Sequence, residues 1–240
     1  MSGSARTSRP GARMSTLAAV AVLALGVGAA FGSLRKVTRS GAHAVAVAIN
    51  LRQSDLPTLS AQSNPITAQQ RRFSAQLTAC LGGVPDNLAY ADAQSPTFTS
   101  SGSSSLTISS NTEILPSAAL VEKDLAAVRS PKGIPCLRRQ LGAQLKASLA
   151  KGDTLTVRGV PLPAIVSGSD GTFALRFNVI VGLKQKSSTV AVRLYYDTIG
   201  FAYRQAEVGF DVLSTATAPS SALERRLGAS LLARARAAIG

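Results

Sequence analysis

Between Thr172 and Leu213 apolar side chains recur at every second position, and this pattern constrains the fold more than any other feature of the chain. Phe173, Leu175, Phe177, Val179, Val181 and Leu183 alternate with Arg176, Asn178 and Lys184 over Thr172–Lys184. A period of two belongs to an extended strand with one face against a core. The chain turns back over 184–188, and Thr189–Asp197 repeats the pattern with Val190, Val192, Leu194 and Tyr196 against Arg193, Tyr195 and Asp197. Ala206–Leu213 follows with Val208, Phe210 and Val212 on the inward phase, and Thr154–Val160 precedes the set as a further strand. Short turns join these segments, Gly168-Ser-Asp-Gly171 among them, so an antiparallel meander is expected.

The first half has a different rhythm. Ala44–Leu51 alternates loosely and predicts a first strand, which Arg52–Pro57 turns out of. Thr67–Leu81 reads as a helix, with Phe73, Leu77 and Leu81 at four-residue spacing and Gly82-Gly83 as its stop. Tyr90–Ser100 and Ser105–Ser110 suggest two weak strands. Pro116 opens a helix over Ser117–Arg129, 131–135 breaks the chain, and Cys136–Ala150 carries Leu137, Leu141, Leu145 and Leu149 every fourth residue. A last helix runs from Pro219 to the C-terminus with Leu223, Leu227 and Leu231 on one side, and Ser221 with Glu224 has the spacing of a capping box. An antiparallel sheet with helices before and after it is an α+β domain, the helices expected on both faces.

Charge and apolarity at the N-terminus bear on location. Arg6, Arg9 and Arg13 precede an uncharged, apolar stretch from Met14 to Leu34, and Arg35, Lys36 and Arg39 follow it. A basic segment, an apolar segment and small residues at its end are the parts of a secretory signal, and about 20 uncharged residues also suffice for an uncleaved anchor. Both readings place the rest of the chain outside the cytoplasm, secreted or tethered to the membrane. The expected organisation is 1–34 signal peptide or signal-anchor, 35–43 stalk and 44–240 one α+β domain. No Cys follows the apolar stretch, so no lipoprotein anchor is read there.

The formal net charge is +14, and removing the six basic residues of 1–44 leaves 20 basic against 12 acidic groups, or +8. The basic residues are scattered and no aromatic is interleaved with them, which argues against nucleic acid and for attraction to anionic envelope material.

Chemistry-bearing motifs are scarce. Ser148-Leu-Ala-Lys151 has the Ser-x-x-Lys spacing of penicillin-binding enzymes, but Ser109-Ser-Asn111 precedes it in reverse order and no Lys-Thr-Gly follows. The one histidine, His43, lies in the expected stalk, which excludes a Ser-His-Asp or Cys-His device. Transition-metal sites lack ligands, the acids form no calcium-loop run, and no cofactor motif is present. The acids offer no pair that spacing alone selects for hydrolysis. Cys80 and Cys136 are the two cysteines, and in an exported domain such a pair is expected to be a disulfide.

The succession Leu-Arg-Gln-Ser-Asp-Leu-Pro (51–57), Ala-Cys-Leu-Gly (79–82), Ser-Pro-Thr-Phe (95–98), Asp-Leu-Ala-Ala-Val-Arg (124–129), Ala-Glu-Val (206–208) and Ala-Leu-Glu-Arg-Arg-Leu (222–227) resembles uncharacterised exported, lipoprotein-like proteins of high-GC Gram-positive bacteria. The layout is also similar to the fold of the photosystem II extrinsic oxygen-evolving proteins. The resemblance implies an exported domain and supplies no catalytic residue. The expectation is therefore an envelope-associated binding or accessory domain that is not an enzyme, with a structural envelope protein or a hydrolase as alternatives. Its partner would be an anionic envelope component or an apolar ligand, besides the membrane if the N-terminal segment is uncleaved. Arg176, Arg193, Tyr195 and Asp197 share the polar phase of the meander and are the expected recognition face, with Glu207 and Asp211 on the non-core phase of the next strand.

Overall fold

The computed structural model describes residues 36–63, 65–100, 105–185, 188–215 and 217–240. The expected signal or anchor segment lies outside them, and among the described residues no helix is long and apolar enough to cross a membrane. The helices are α1 (Ala42–Ile49), α2 (Ala68–Leu81), α3 (Ala118–Arg129), α4 (Gly133–Ala147) and α5 (Ser221–Ile239). The strands are β1 (Ser60–Gln62), β2 (Ala91–Gln94), β3 (Thr97–Thr99), β4 (Leu106–Ile114), β5 (Thr154–Pro161), β6 (Gly171–Gln185), β7 (Ser188–Tyr203) and β8 (Ala206–Thr215).

Local chemistry explains most boundaries. Thr67 and Gln70 cap α2 reciprocally: Thr67 Oγ1 accepts from the Gln70 N–H at 3.1 Å, and Gln70 Oε1 from the Thr67 N–H at 2.7 Å. Gly82 ends α2 at φ 76°, a left-handed conformation that favours glycine. Ser117 caps α3 through the Leu120 N–H. Pro135, expected in a break, sits in the first turn of α4, where no N–H is needed for the helix. The strand expected over 44–51 is helical instead. Ala42, Ala46 and Ile49 fall at four- and three-residue steps and are buried against the sheet and α5, so tertiary packing overrides the Ala/Val alternation. Asn50, just beyond α1, fixes it to the sheet: its Nδ2 donates to the Ala93 carbonyl, and its Oδ1 accepts from Ser110 and Thr112. The domain takes in the chain from Val37, whose buried N–H donates to Gln205.

All pairings are antiparallel, in the order β1-β3-β4-β8-β7-β6-β5, with β2 paired to β4 beside β3. The meander β5 to β8 is present as expected, with β7 extending six residues past Asp197 to Tyr203.

The registers show which side chains share a face. Asp197 pairs with Arg176 and Val212, Ile199 with Phe210, and Val212 with Ile108, so all of these lie on one side. On that side Ile108, Ile114, Ile199, Phe201, Val208, Phe210 and Val212 pack with α1 and α5 into the main core. On the other side lie Phe173, Phe177, Val179 and Leu194 of β6 and β7, but Asn111, Glu113, Glu207 and Asp211 of β4 and β8. The helices α2, α3 and α4 lie on this second side. The apolar stripe therefore crosses from one face of the sheet to the other between β8 and β7.

Candidate functional site

The second face is not filled. None of the fourteen residues of α2 is fully buried, although Phe73, Leu77 and Leu81 keep their helical stripe. These three, with Leu137 and Leu141 of α4 and Phe173 and Phe177 of β6, wall a cavity of about 450 Å³ between helices and sheet. A second recess of about 260 Å³ shares Gln70, Ser74, Asp86, Gln94, Asn111 and Glu113 with it. That recess is also lined by Arg71 and Asp92, an ion pair at 3.8 Å whose side chains are both more than half exposed, which marks the way out to solvent.

Two glycines keep the floor low. Gly200 and Gly209 are paired on β7 and β8, where a Cβ would come within 2.3 Å of the Phe173 ring and 2.6 Å of Asn111 Oδ1 respectively. The rest of the floor is acidic. Glu113 stands opposite Glu207 in the β4–β8 register, and Asp211 lies two same-face positions along β8, beyond Gly209. Burial pushes the Glu113 carboxyl up to about 8, helped by the charges of Asp124, Asp86 and Asp92. Burial also holds Glu207 well above the usual carboxylate range, with Asp124 and Glu113 adding to it. Asp211 is raised by burial and partly relieved by hydrogen bonds from Tyr196 and Thr198. Asp124, reaching down from α3, accepts the Val84 N–H at 2.5 Å. Of three buried side-chain oxygens without a hydrogen-bond partner among the described residues, two line this cavity, Glu207 Oε2 and Gln94 Oε1; the third is Glu224 Oε1 of α5. Among the described residues no three Asp, Glu, Cys or His side chains form a group that could hold a metal ion.

Cys80 and Cys136 form the expected disulfide, with Cα atoms 5.9 Å apart, and it ties α2 to α4 across one wall of this cavity.

The expected recognition face is divided. Arg176 and Asp197 make a two-pronged ion pair, Nε to Oδ1 at 2.7 Å and Nη2 to Oδ2 at 2.6 Å, and Asp197 is fully buried. Glu224 of α5 approaches the same guanidinium at 4.0 Å. Its side chain is buried there and does not close a capping box with Ser221; the cap position is Ser220. Arg193 is exposed and Tyr195 half-buried on that side, whereas Glu207 and Asp211 are on the opposite face. Arg176, Arg193, Tyr195 and Asp197 do share one face, as expected, but Arg176 and Asp197 are taken up by their own ion pair beneath α5 and do not form an open recognition surface. Helix α5 covers the phase that alternation in β6 and β7 marks as outward. Ser148 closes α4 and Lys151 lies in the turn beyond it, both exposed and outside the cavity lining, as is His43 on α1.

Sequence reading placed Glu207 and Asp211 on the non-core phase of their strand but missed Glu113 and the floor these acids form beneath the helices. Glu113 lies in a Ser/Thr-rich segment and Glu207 beside a tight turn, and their juxtaposition exists only through the β4–β8 register.

No protein-family model matches this chain, and no curated protein matches it. Among solved structures, the extracellular domain of PknH from Mycobacterium tuberculosis overlaps 85% of this chain and all of its own length, at 10% identity and a TM-score of 0.43. A likeness at that level transfers nothing from that domain to this one.

Proposed function

We propose that the chain is an exported binding domain that holds a small, largely apolar molecule between its sheet and helices α2 to α4. One observation carries the reading: three amphipathic elements converge and leave about 450 Å³ unfilled, within the roughly 300–1,000 Å³ common for ligand pockets. An apolar stripe on α2 that never reaches full burial is costly unless something covers it. The disulfide supports an extracytoplasmic location, since such bonds persist in oxidising compartments. The resemblance to exported proteins of high-GC Gram-positive bacteria agrees with it.

Binding is favoured over hydrolysis by the state of the facing acids. A glycoside-cleaving pair needs one ionised carboxylate, and burial works against ionisation of this pair, lifting Glu113 to about 8 and Glu207 above the usual carboxylate range.

Native mass spectrometry of the protein as exported by an actinobacterial host tests the reading. The wild type is expected to carry a small-molecule adduct that disappears on denaturation, and Leu141→Trp, which fills the cavity, should remove it. A folded wild type that carries no adduct, and takes up none from a lipid extract of its host, would show the cavity to be a packing gap.

A further inference from the structure

We propose that the occupant of this cavity is an amphiphile with a cationic, amine-type head, the head seated on the facing pair Glu113 and Glu207 and the apolar body lying along α2 and α4. This rests on the reading of the cavity as a ligand site.

The distribution of charge is the first reason. Asp86, Glu113, Asp124, Glu207 and Asp211, five of the twelve acids of the chain, line the cavity. None of the 26 Lys and Arg residues does so among the described residues. In a protein with more than twice as many bases as acids, buried carboxyls would ordinarily be paired with bases. Arg176 with Asp197 and Arg234 with Asp55 show that this chain forms such pairs elsewhere.

The orphaned oxygens are the second reason. Glu207 Oε2 and Gln94 Oε1 are shut off from solvent and accept nothing, and both residues line the cavity. Unmade acceptors of this kind call for a donor-rich partner. An ammonium brings three donors and no acceptor, and its charge restores the ionised carboxylate that burial opposes. The walls suit the remainder of such a molecule. Phe173, Phe177 and Tyr196 line the cavity together with the acids, and aromatic rings attract organic cations. A carboxylate or phosphate head would meet five acids and no base. A neutral alcohol would satisfy a hydrogen bond and leave the charge asymmetry unused.

The test uses three probes with one body, phenylbutylammonium, phenylbutanol and phenylbutyrate, titrated into the exported protein by calorimetry. The ammonium is expected to bind at least about tenfold more tightly than the alcohol, with the butyrate weakest. Glu207→Gln should lower the ammonium affinity about tenfold and leave the alcohol within about twofold. Glu113→Gln serves as a second variant, and the melting temperature confirms folding of both. Alcohol or butyrate binding as tightly as the ammonium, in a manner that Leu141→Trp abolishes, would overturn the cationic head and leave the cavity reading standing. Binding of none of the probes, or binding that survives Leu141→Trp, would overturn both.

Discussion

Glu113 and Glu207 face one another across β4 and β8, and burial raises both above the range of an exposed carboxyl. The ordinary value for Glu113 is 4.5, and burial lifts it to about 8. Between those values the folded domain holds a proton that the unfolded chain has lost. Its contribution to stability is therefore complete below about pH 4.5 and disappears as the pH rises toward 8. Thermal melts of the ligand-free protein should fall over that interval. Glu113→Gln, a neutral mimic, should raise the melting temperature by several degrees at pH 8 and change it little at pH 5; equal shifts at both would remove titration as the cause. Arg176 gives the opposite lesson. Its partner Asp197 is fully buried, so Arg176→Ala strands a charge and should cost about 3–5 kcal/mol, or about 10 °C in a domain of this size. Arg193→Ala, at an exposed position on the same phase, should stay within about 0.5 kcal/mol. Comparable losses from the two would contradict the buried pair. Alternation in the sequence showed which residues share a phase with Arg176, but not that α5 lies over that phase, because coverage depends on packing between distant segments.

Elements with their own punctuation were legible. The stripes of α2, α3 and α4, the Thr67 and Gly82 boundaries and the four strands of the meander all follow from spacing and caps. Three features were not. Helix α1 alternates Ala and Val like a strand and is helical because its four- and three-residue steps meet α5 and β4. Strand β1 has three exposed residues and no pattern to detect. The transfer of the apolar stripe between faces at β7 and β8 is invisible strand by strand, since each alternates regularly. The disulfide was expected from its two cysteines, and its effect belongs to this scale. It closes a 56-residue separation, worth about 4 kcal/mol on the chain-entropy estimate. Because it joins α2 to α4, replacing Cys80 and Cys136 by Ser should lower the urea midpoint and also loosen the cavity wall. Ligand uptake by the double variant should weaken under conditions where circular dichroism still reports a folded domain. Uptake that persists until global unfolding would show the bond to be only a staple.

At the scale of the whole molecule, the sheet separates two interiors of different character. One side, under α1 and α5, is packed with Phe, Ile, Val and Leu and includes four of the largest fully buried side chains of β3, β7 and β8, Phe98, Ile199, Phe201 and Phe210. The other is roofed by helices that touch the sheet through α3 and α4 and leave a hollow. Stability can thus reside in the first, while the second keeps an unfilled hollow without loss of the fold.

The charge layout has a kinetic consequence. The exterior is basic and the hollow is lined by acids, so the proposed organic cation would meet repulsion first and gain its attraction only past Arg71 and Asp92, as it draws the floor carboxyls into their ionised form. Dissolved salt flattens the outer barrier within about 8–10 Å and reaches the buried acids far less. Entry would be slow in fresh water and quicker in brine, while escape from the acidic floor would hardly change. If the cavity takes the proposed cation, slow exchange follows from this layout: release would be governed by the buried acids and entry by the ionic strength.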